Sequence, residues 1–401
     1  MEWMLAMAHC LLLLSAGVVA LFVAVLLVEI GAAAIAPGRK QVLPAIAAAR
    51  PRVAVLVPAH NESTELLPTL EDIKAQLVPE DRLLVVADNC SDDTPAVAGA
   101  AGAEVVARTD PQKVGKGYAL DWGIRYLRAD PPDIVIVVDA DCRLANGVID
   151  QLARTSGELH RPAQALYLMT APTRSKQNYD VAEFAWRIRN WVRPLGLRAL
   201  KLPCQLMGTG MAFPWDVIRC AKLASGHLAE DLKLGLDLAR AGHPPYFCPS
   251  AVVTSCFPRS SQAADTQRQR WEHGHISTLL TVAPMLSLRA ILSTNAGALA
   301  LALDAMVPPL ALLATIAVGM TGVAAVAAYS GFSPVALNIG LASLAGLAGA
   351  VFLAWLTHGR DVLPARAWAS LAIYAVGKLG FYSRLLTHGP VKRWYRTDRD
   401  S

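Results

Sequence analysis

The sequence predicts an α/β domain on a mainly parallel sheet, held between hydrophobic segments that would cross a membrane at both ends of the chain. Two observations carry this. Long uncharged runs lie towards both termini, and between residue 50 and about 260 short, continuously apolar strand signals alternate with helix signals. The 401 residues suffice for one large domain or two ordinary ones. Hydrophobic residues make up 54% and charged residues 17%, more apolar than a typical soluble domain, so membrane segments come first. A net charge of +5 fits affinity for anionic lipid surfaces or phosphorylated substrates. No dense Lys/Arg run interleaved with aromatics is present, which argues against a nucleic-acid partner. The seven cysteines form no CxxC pair and no His spacing completes a zinc site, so the main domain is expected in a reducing compartment.

The N-terminal segment, residues 1–36, reads as a transmembrane helix. No formally charged residue lies between Trp3 and Val28, and that stretch exceeds the roughly 20 residues needed to span the hydrocarbon core. Ala34-Ile35-Ala36 resembles a signal-peptide cleavage site. The apolar run is nevertheless longer than the usual h-region of about 7–15 residues, and its start is acidic rather than basic. Glu2 precedes the run and Arg39, Lys40, Arg50 and Arg52 follow it, which places the next domain in the cytosol.

Residues 50–265 read as the α/β domain. Strands are expected at Val53–Val57, Leu83–Val86, Glu104–Val106, Ile134–Val138 and Ala165–Thr170, with helices from near Ser63 and over Gly117–Leu127. Continuous apolar strands between helices imply a sheet covered on both faces, whose ligands bind outside the carboxyl ends of the strands. Polar residues gather there: His60-Asn61-Glu62, then Asp88 to Asp93, then Asp139-Ala140-Asp141. One acidic strand end is usually a helix cap; three on one edge are harder to dismiss.

Two carboxylates two residues apart, Asp139 and Asp141, can reach one hard cation, Mg2+ or Mn2+, together with phosphate oxygens. Asp88 is a candidate acceptor for a nucleobase and Glu62 for base or ribose, although Glu62 also suits an ordinary first-turn acid. Gly115-Lys116-Gly117 opens a helix and could meet a phosphate, or Lys116 is a solvated surface lysine; the GxxxxGK[ST] spacing is missing. Glu230-Asp231 begins a helix, where Asp231 is either a cap or a general base. Gln267, Arg270 and Trp271 precede the C-terminal membrane region; Arg270 could pair with a diphosphate, or the segment is a membrane-interface belt.

Residues 266–304 are expected to hold interfacial or re-entrant helices. No charged residue occurs from Ala305 to Gly359, and Tyr329 to Pro334 splits this run into two spans, roughly 305–328 and 335–357. Pro308-Pro309 either kinks the first span or marks its start. Residues 358–401 hold a last segment, about 364–386, with Arg366, Lys378 and Arg384, that spans or lies in the interface, and a basic tail from Lys392 to Arg396. A cytosolic tail favours the interfacial alternative.

Taken together, these residues resemble glycosyltransferase family 2, in particular its membrane-integrated branch of cellulose synthase-like, hyaluronan synthase-like and ceramide glucosyltransferase-like enzymes. The matching pieces, in order, are Val57-Pro58-Ala59-His60-Asn61-Glu62, Asp88 with Ser91-Asp92-Asp93, Asp139-Ala140-Asp141, Gly208-Thr209-Gly210, Glu230-Asp231 and Gln267-x-x-Arg270-Trp271. The likeness runs from about residue 50 to 275. It implies a GT-A fold and an inverting single displacement from a UDP- or GDP-sugar. It further implies nucleotide-sugar contacts from Pro58, Asn61, Glu62, Asp88, Lys116 and Asp139, a metal held by Asp139 and Asp141, and Asp231 as base. Gln267, Arg270 and Trp271 would form a lid beside the diphosphate and acceptor. Gly208, Thr209, Gly210 and Glu230 would lie on the acceptor side. His60 departs from the commoner Tyr or Phe. The expected acceptor is lipid-linked or membrane-embedded, a saccharide carrier in exopolysaccharide or cell-envelope assembly at a bacterial-type cytoplasmic membrane, with membrane lipids as further partners. A processive polysaccharide synthase is the alternative, against which the short C-terminal membrane part speaks. A non-catalytic nucleotide-binding scaffold is a third.

Overall fold

The computed structural model describes residues 2–36, 49–172, 179–258, 261–368 and 371. Helix α1 (Glu2–Ile35) is one unbroken apolar rod of 34 residues. Strand β1 (Val53–Ala59) begins the sheet. Val53, Val55 and Val57 join the core on one face of it, and Ala54 and Leu56 the core on the other. A strand read as a continuous apolar run is therefore covered on both sides. A 3₁₀ turn at Ser63–Leu66 leads into α2 (Leu67–Lys74).

Strand β2 (Arg82–Asp88), α3 (Thr94–Ala100), β3 (Glu104–Arg108), α4 (Lys116–Leu127) and β4 (Ile134–Val137) follow. They complete four parallel strands in the order β3-β2-β1-β4. The chain steps outward from β1 to β3, then returns to the other side of β1. That reversal leaves a crevice at the carboxyl ends of β1 and β4.

The second half of the sheet is mixed. After β5 (Arg143–Leu144), α5 (Val148–Leu159) and β6 (Ala163–Thr170) comes a helical rod. It consists of α6 (Asp180–Arg187), a π-helical turn at Ile188–Val192 and α7 (Arg193–Ala199). Strand β7 (Met211–Pro214) runs antiparallel to β4. Beyond α8 (Trp215–Ile218) and α9 (Glu230–Arg240), β8 (Tyr246–Cys256) runs parallel to β6. The eight strands lie in the order β3-β2-β1-β4-β7-β6-β8-β5. All five expected strands are present. β7, antiparallel to both β4 and β6, and β5, antiparallel to β8, supply the antiparallel pairings that the local pattern does not announce.

The C-terminal part holds α10 (Ser261–Thr281), α11 (Ala283–Leu292), α12 (Ala296–Met306), α13 (Leu310–Tyr329) and α14 (Val335–His358). Pro309 stands directly before α13, so the Pro308-Pro309 pair marks that helix's start. Four described stretches are long and apolar enough to cross a membrane: Trp3–Ile35, Gln269–Leu292, Leu310–Tyr329 and Val335–His358. The stretch 269–292 is not one straight rod, since it changes helix at Val282. α1 packs against α13 and α14, and at Gly346 a side chain would come within 3.1 Å of Val23 and Leu27. Arg39 and Lys40 lie outside the described residues, as do Lys378, Arg384 and the tail from Lys392 to Arg396.

One apolar cluster joins the terminal helices to the sheet domain. Ile30 of α1, Phe184, Ile188, Val192 and Leu195 of the helical rod, Leu166 of β6, Phe247 of β8 and Ala354 of α14 meet there. At its edge sits a buried ion triad. Arg193 donates from Nε to Glu29 at 2.6 Å, and from Nη2 to both the Asp304 carbonyl, at 2.9 Å, and the Asp304 carboxylate.

Candidate active site

The crevice between β1 and β4 deepens into a cleft closed by the Gly208 loop, the N-terminus of α9, the helical rod and α10. Of the residues singled out in the sequence, Pro58, Glu62, Asp88, Lys116, Asp139, Asp141, Gly208, Glu230, Asp231, Gln267, Arg270 and Trp271 line it. Asn61, Thr209 and Gly210 do not.

On the β1 side, the chain turns sharply after the strand. Asn61 takes a left-handed conformation (φ 56°), and its Oδ1 accepts the backbone N–H of Ser91 at 2.8 Å. The backbone N–H groups of Glu62 and Ser63 both donate to Thr94 Oγ1 at 2.8 Å. His60 donates from Nδ1 to the Asp88 carbonyl at 2.7 Å. Asn61 thus holds the turn rather than facing the cleft. Asp88 is buried and paired with Arg108 at 2.5 Å, a partner 20 residues away that the motif does not reveal.

The carboxylate pair stands where β4 ends. Lys116, the first residue of α4, donates to the Asp139 carboxylate and, at 2.7 Å, to the carbonyl of Gly208. It is no surface lysine. Burial acts to lower the Lys116 ammonium, but Asp139, Glu230 and Asp231 outweigh it and hold it above its ordinary value. Burial raises the Asp139 carboxyl, against the pull of Lys116 and with the push of Asp141. Asp141 accepts from Ser255 Oγ at 3.0 Å. Ligand atoms of Asp139, Asp141 and Cys142 lie within 4.8 Å of one another. Burial pushes the Cys142 thiol well up, so the two carboxylates are the donors here. Two half-buried carboxylates at one strand end, with the Lys116 ammonium on Asp139, fit an oxygen-preferring divalent cation.

The loop Gly208-Thr209-Gly210 has its own logic. Gly208 and Gly210 have φ of +91° and +62°, conformations that glycine alone adopts without strain. A side chain at Gly208 would stand 3.3 Å from Asp231 Oδ2 and 4.0 Å from Asp139 Oδ2, so this glycine fills the gap between the two carboxylates. Thr209 is turned inward: its hydroxyl accepts the Asp139 backbone N–H. Gln164, buried on β6, donates to the Thr209 carbonyl at 2.9 Å and accepts from Met207 N at 2.8 Å. Thr209 and Gly210 therefore shape the loop from behind.

Glu230 and Asp231 occupy the first turn of α9, as expected. Burial, followed by the neighbouring Asp231, raises the Glu230 carboxyl to about 7, with Lys116 opposing. Across the cleft, Trp271 of α10 lies 4.9 Å from Trp186 of α6, centroid to centroid, and Trp186 lies 5.3 Å edge-on from Tyr167. Trp186, Arg189, Arg193, Gln205 and Asp304 also line the cleft. None was singled out in the sequence, although Trp186 and Arg189, three apart on a helix, share a face.

A family model described as "Glycosyltransferase like family 2" matches residues 51–274. The chain belongs to this family. Among curated proteins, "Probable glycosyltransferase YdaM" of Bacillus subtilis (strain 168) is 24% identical over 250 residues, 56% of this chain and 55% of that protein. The family 2 chain thus spans about half the length of that relative. Among solved structures, the mannosyltransferase PcManGT from Pyrobaculum calidifontis, in complex with GDP-Man and Mn2+, superposes with a TM-score of 0.52 at 18% identity. The match covers 92% of this family 2 chain and 99% of the other, and the two share the GT-A-like fold.

Proposed function

We propose that the protein is an inverting, divalent-cation-dependent glycosyltransferase that moves one sugar from a UDP- or GDP-sugar to a membrane-associated acceptor, a lipid-linked saccharide of exopolysaccharide or cell-envelope assembly. The observation that carries this is the meeting of Asp139, Lys116, Gly208 and Asp231 in one cleft, with the gap between the two carboxylates set by a residue lacking a side chain. Family membership and the GDP-Man and Mn2+ named for PcManGT support the donor class and the metal.

Asp139 and Asp141 would hold the cation, which, when bound, offsets charge developing on the diphosphate leaving group. Lys116 and Arg270 add positive charge beside that diphosphate. Asp231 takes the proton of the acceptor hydroxyl as its oxygen attacks the anomeric carbon from the face opposite the leaving group. Trp186 and Trp271 offer flat apolar faces to a sugar ring.

The exposed apolar faces support the membrane location. Leu11, Leu14 and Val28 of α1, Val318 and Val326 of α13 and Phe352 of α14 lie outward, where lipid tails would cover them. α1, α13 and α14 are read as the spans, with the sheet domain cytosolic. α10, which carries Gln267, Arg270 and Trp271 to the cleft, is read with α11 and α12 as interfacial.

The test is a donor screen with purified full-length protein and lipid extract as acceptor, with and without Mn2+ or Mg2+. Transfer from a UDP- or GDP-sugar that stops on chelation is expected; transfer surviving complete chelation would sink the metal assignment. Asp231→Asn should lower turnover by about 100-fold or more while nucleotide binding persists. Long chains made from the nucleotide-sugar alone would defeat the single-transfer reading.

A further inference from the structure

Four Lys and Arg side chains line the cleft: Lys116, Arg189, Arg193 and Arg270. Lys116 is held by Asp139, Arg193 by Glu29 and Asp304, and Arg270 also has a partner. Arg189 has no hydrogen bond and no ion pair among the described residues. Burial lowers its guanidinium from the ordinary value. Arg189 is half-buried in the cleft wall, and a guanidinium there with no carboxylate in contact is open to an anionic ligand.

Its position indicates which ligand. Asp231 is the carboxylate whose charge acts most strongly on Arg189, followed by Asp304 and Glu272. It stands on the helical rod, a different wall of the cleft from the strand ends of β1 and β4 given to the donor diphosphate. Trp186, one turn earlier on the same face, and Trp271 form the aromatic wall next to it. Arg189 sits in the π-helical turn Ile188–Val192, where one extra residue re-aims the side chains of a rod; such turns recur at functional sites.

The rod also rests on two apolar helices, α1 and α14. Arg187 pairs with Asp361 at 2.8 Å and donates to the His358 carbonyl, at the end of α14, at 3.2 Å. Trp191 packs edge-on against the His358 ring at 4.8 Å. At Gly196 any side chain would run into the Glu29 carbonyl of α1. The rod that carries Arg189 thus joins the cleft to α1 and α14.

We propose that Arg189 receives a phosphate or diphosphate group of the acceptor. This rests on the reading of the protein as a nucleotide-sugar-dependent glycosyltransferase with a membrane-associated acceptor. Its fork of donors suits phosphate oxygens, and the aromatic wall beside it would hold the sugar that carries the accepting hydroxyl.

The experiment uses the full chain in phosphatidylcholine nanodiscs, with tryptophan fluorescence as the readout and UDP, GDP, farnesyl diphosphate, farnesol and inorganic diphosphate as probes. Farnesyl diphosphate should bind and farnesol should bind much more weakly. Arg189→Gln should weaken farnesyl diphosphate by about tenfold or more, Arg189→Lys by less, and nucleotide affinity should stay within about twofold. Tighter binding of farnesyl diphosphate than of inorganic diphosphate assigns the anion to a lipid head group; equal, Arg189-dependent affinity assigns it to a soluble phosphorylated acceptor. The melting temperature of Arg189→Gln should stay near that of wild type, because no hydrogen bond or contacting ion pair is removed. Unchanged affinity for both diphosphates, or a loss confined to UDP and GDP, overturns the proposal. Wild-type protein that binds neither UDP nor GDP fails the donor reading instead, whatever Arg189 does.

Discussion

The hydroxyl of Thr209 accepts the backbone N–H of Asp139 at 3.0 Å. The loop before β7 is thereby tied to the end of β4, at the residue from which the carboxylate pair begins. Thr209 is fully buried, so Thr209→Val keeps the shape and leaves the part-buried Asp139 N–H without its partner. The expected cost is about 1–3 kcal/mol of stability, seen as a lower melting temperature, together with weaker Mn2+ dependence of nucleotide binding. Thr209→Ser should recover both. A Thr209→Val protein indistinguishable from wild type in both measurements would show that this bond does not set the carboxylate.

Lys116 and a divalent cation compete for Asp139. With Lys116→Met the ammonium is gone and burial leaves the carboxylate pair short of positive charge. Affinity for Mn2+ alone should rise while affinity for UDP or GDP falls, each by roughly tenfold, the scale of one charge-assisted hydrogen bond. Isothermal titration with each ligand reads the two signs separately. A joint loss of both would make Lys116 a fold-holding residue.

Much of the first half of the sheet could be read from the chain alone, because parallel strands covered on both faces must be apolar at every position. Val53 to Val57 and Ile134 to Val138 show this without interruption. The acidic residues that end β1, β2 and β4 are legible for the complementary reason: they stand where the apolar run stops. β7 is only four residues long and shows no period, and β8 carries Pro249 beside a register shift against β6. The rod from Asp180 to Ala199 mixes apolar residues with four arginines and Pro194, and it is buried by β6, β8, α1 and α14, partners that its own pattern does not name. Partners far apart in sequence left no local trace either. Asp88 meets Arg108 at 20 residues' distance and Glu29 meets Arg193 at 164. Thr209 was expected at the acceptor, and the two left-handed glycines around it turn it inward instead.

Glu230 makes stability depend on pH in a stated direction. The folded protein holds a proton on it up to about pH 7 that an ordinary carboxyl releases near 4.5, with burial as the main cause and Asp231 next. Its contribution is full below the unfolded value and is lost as pH climbs through about 7. Glu230→Gln, neutral throughout, should melt a few degrees above wild type on the alkaline side of about pH 7, with the gap closing towards pH 5. Parallel melting curves across that range would place the charge of Glu230 in solvent.

The Glu29–Arg193–Asp304 triad ties α1 to α7 and α12, and its three side chains are 3%, 8% and 5% exposed. Arg193→Met leaves two buried carboxylates facing each other, and breaking a buried pair in this way costs about 3–5 kcal/mol. Coulomb energy between the three charges is not by itself evidence of net stabilisation, because each has lost its water. Glu29 Oε1 also has no hydrogen-bond partner. The combined variant Glu29→Gln, Arg193→Met, Asp304→Asn should therefore recover most of the melting temperature lost in Arg193→Met. Function need not recover with it. Arg193 and Asp304 line the cleft and Asp304 also holds Gln205 at 2.5 Å, so the triad sets the position of the cleft wall relative to α1. The stable triple variant should keep its nucleotide affinity and raise the KM for a membrane acceptor. If its acceptor KM equals that of wild type, the charges serve packing alone and the position of α1 is fixed by the apolar contacts around Gly196.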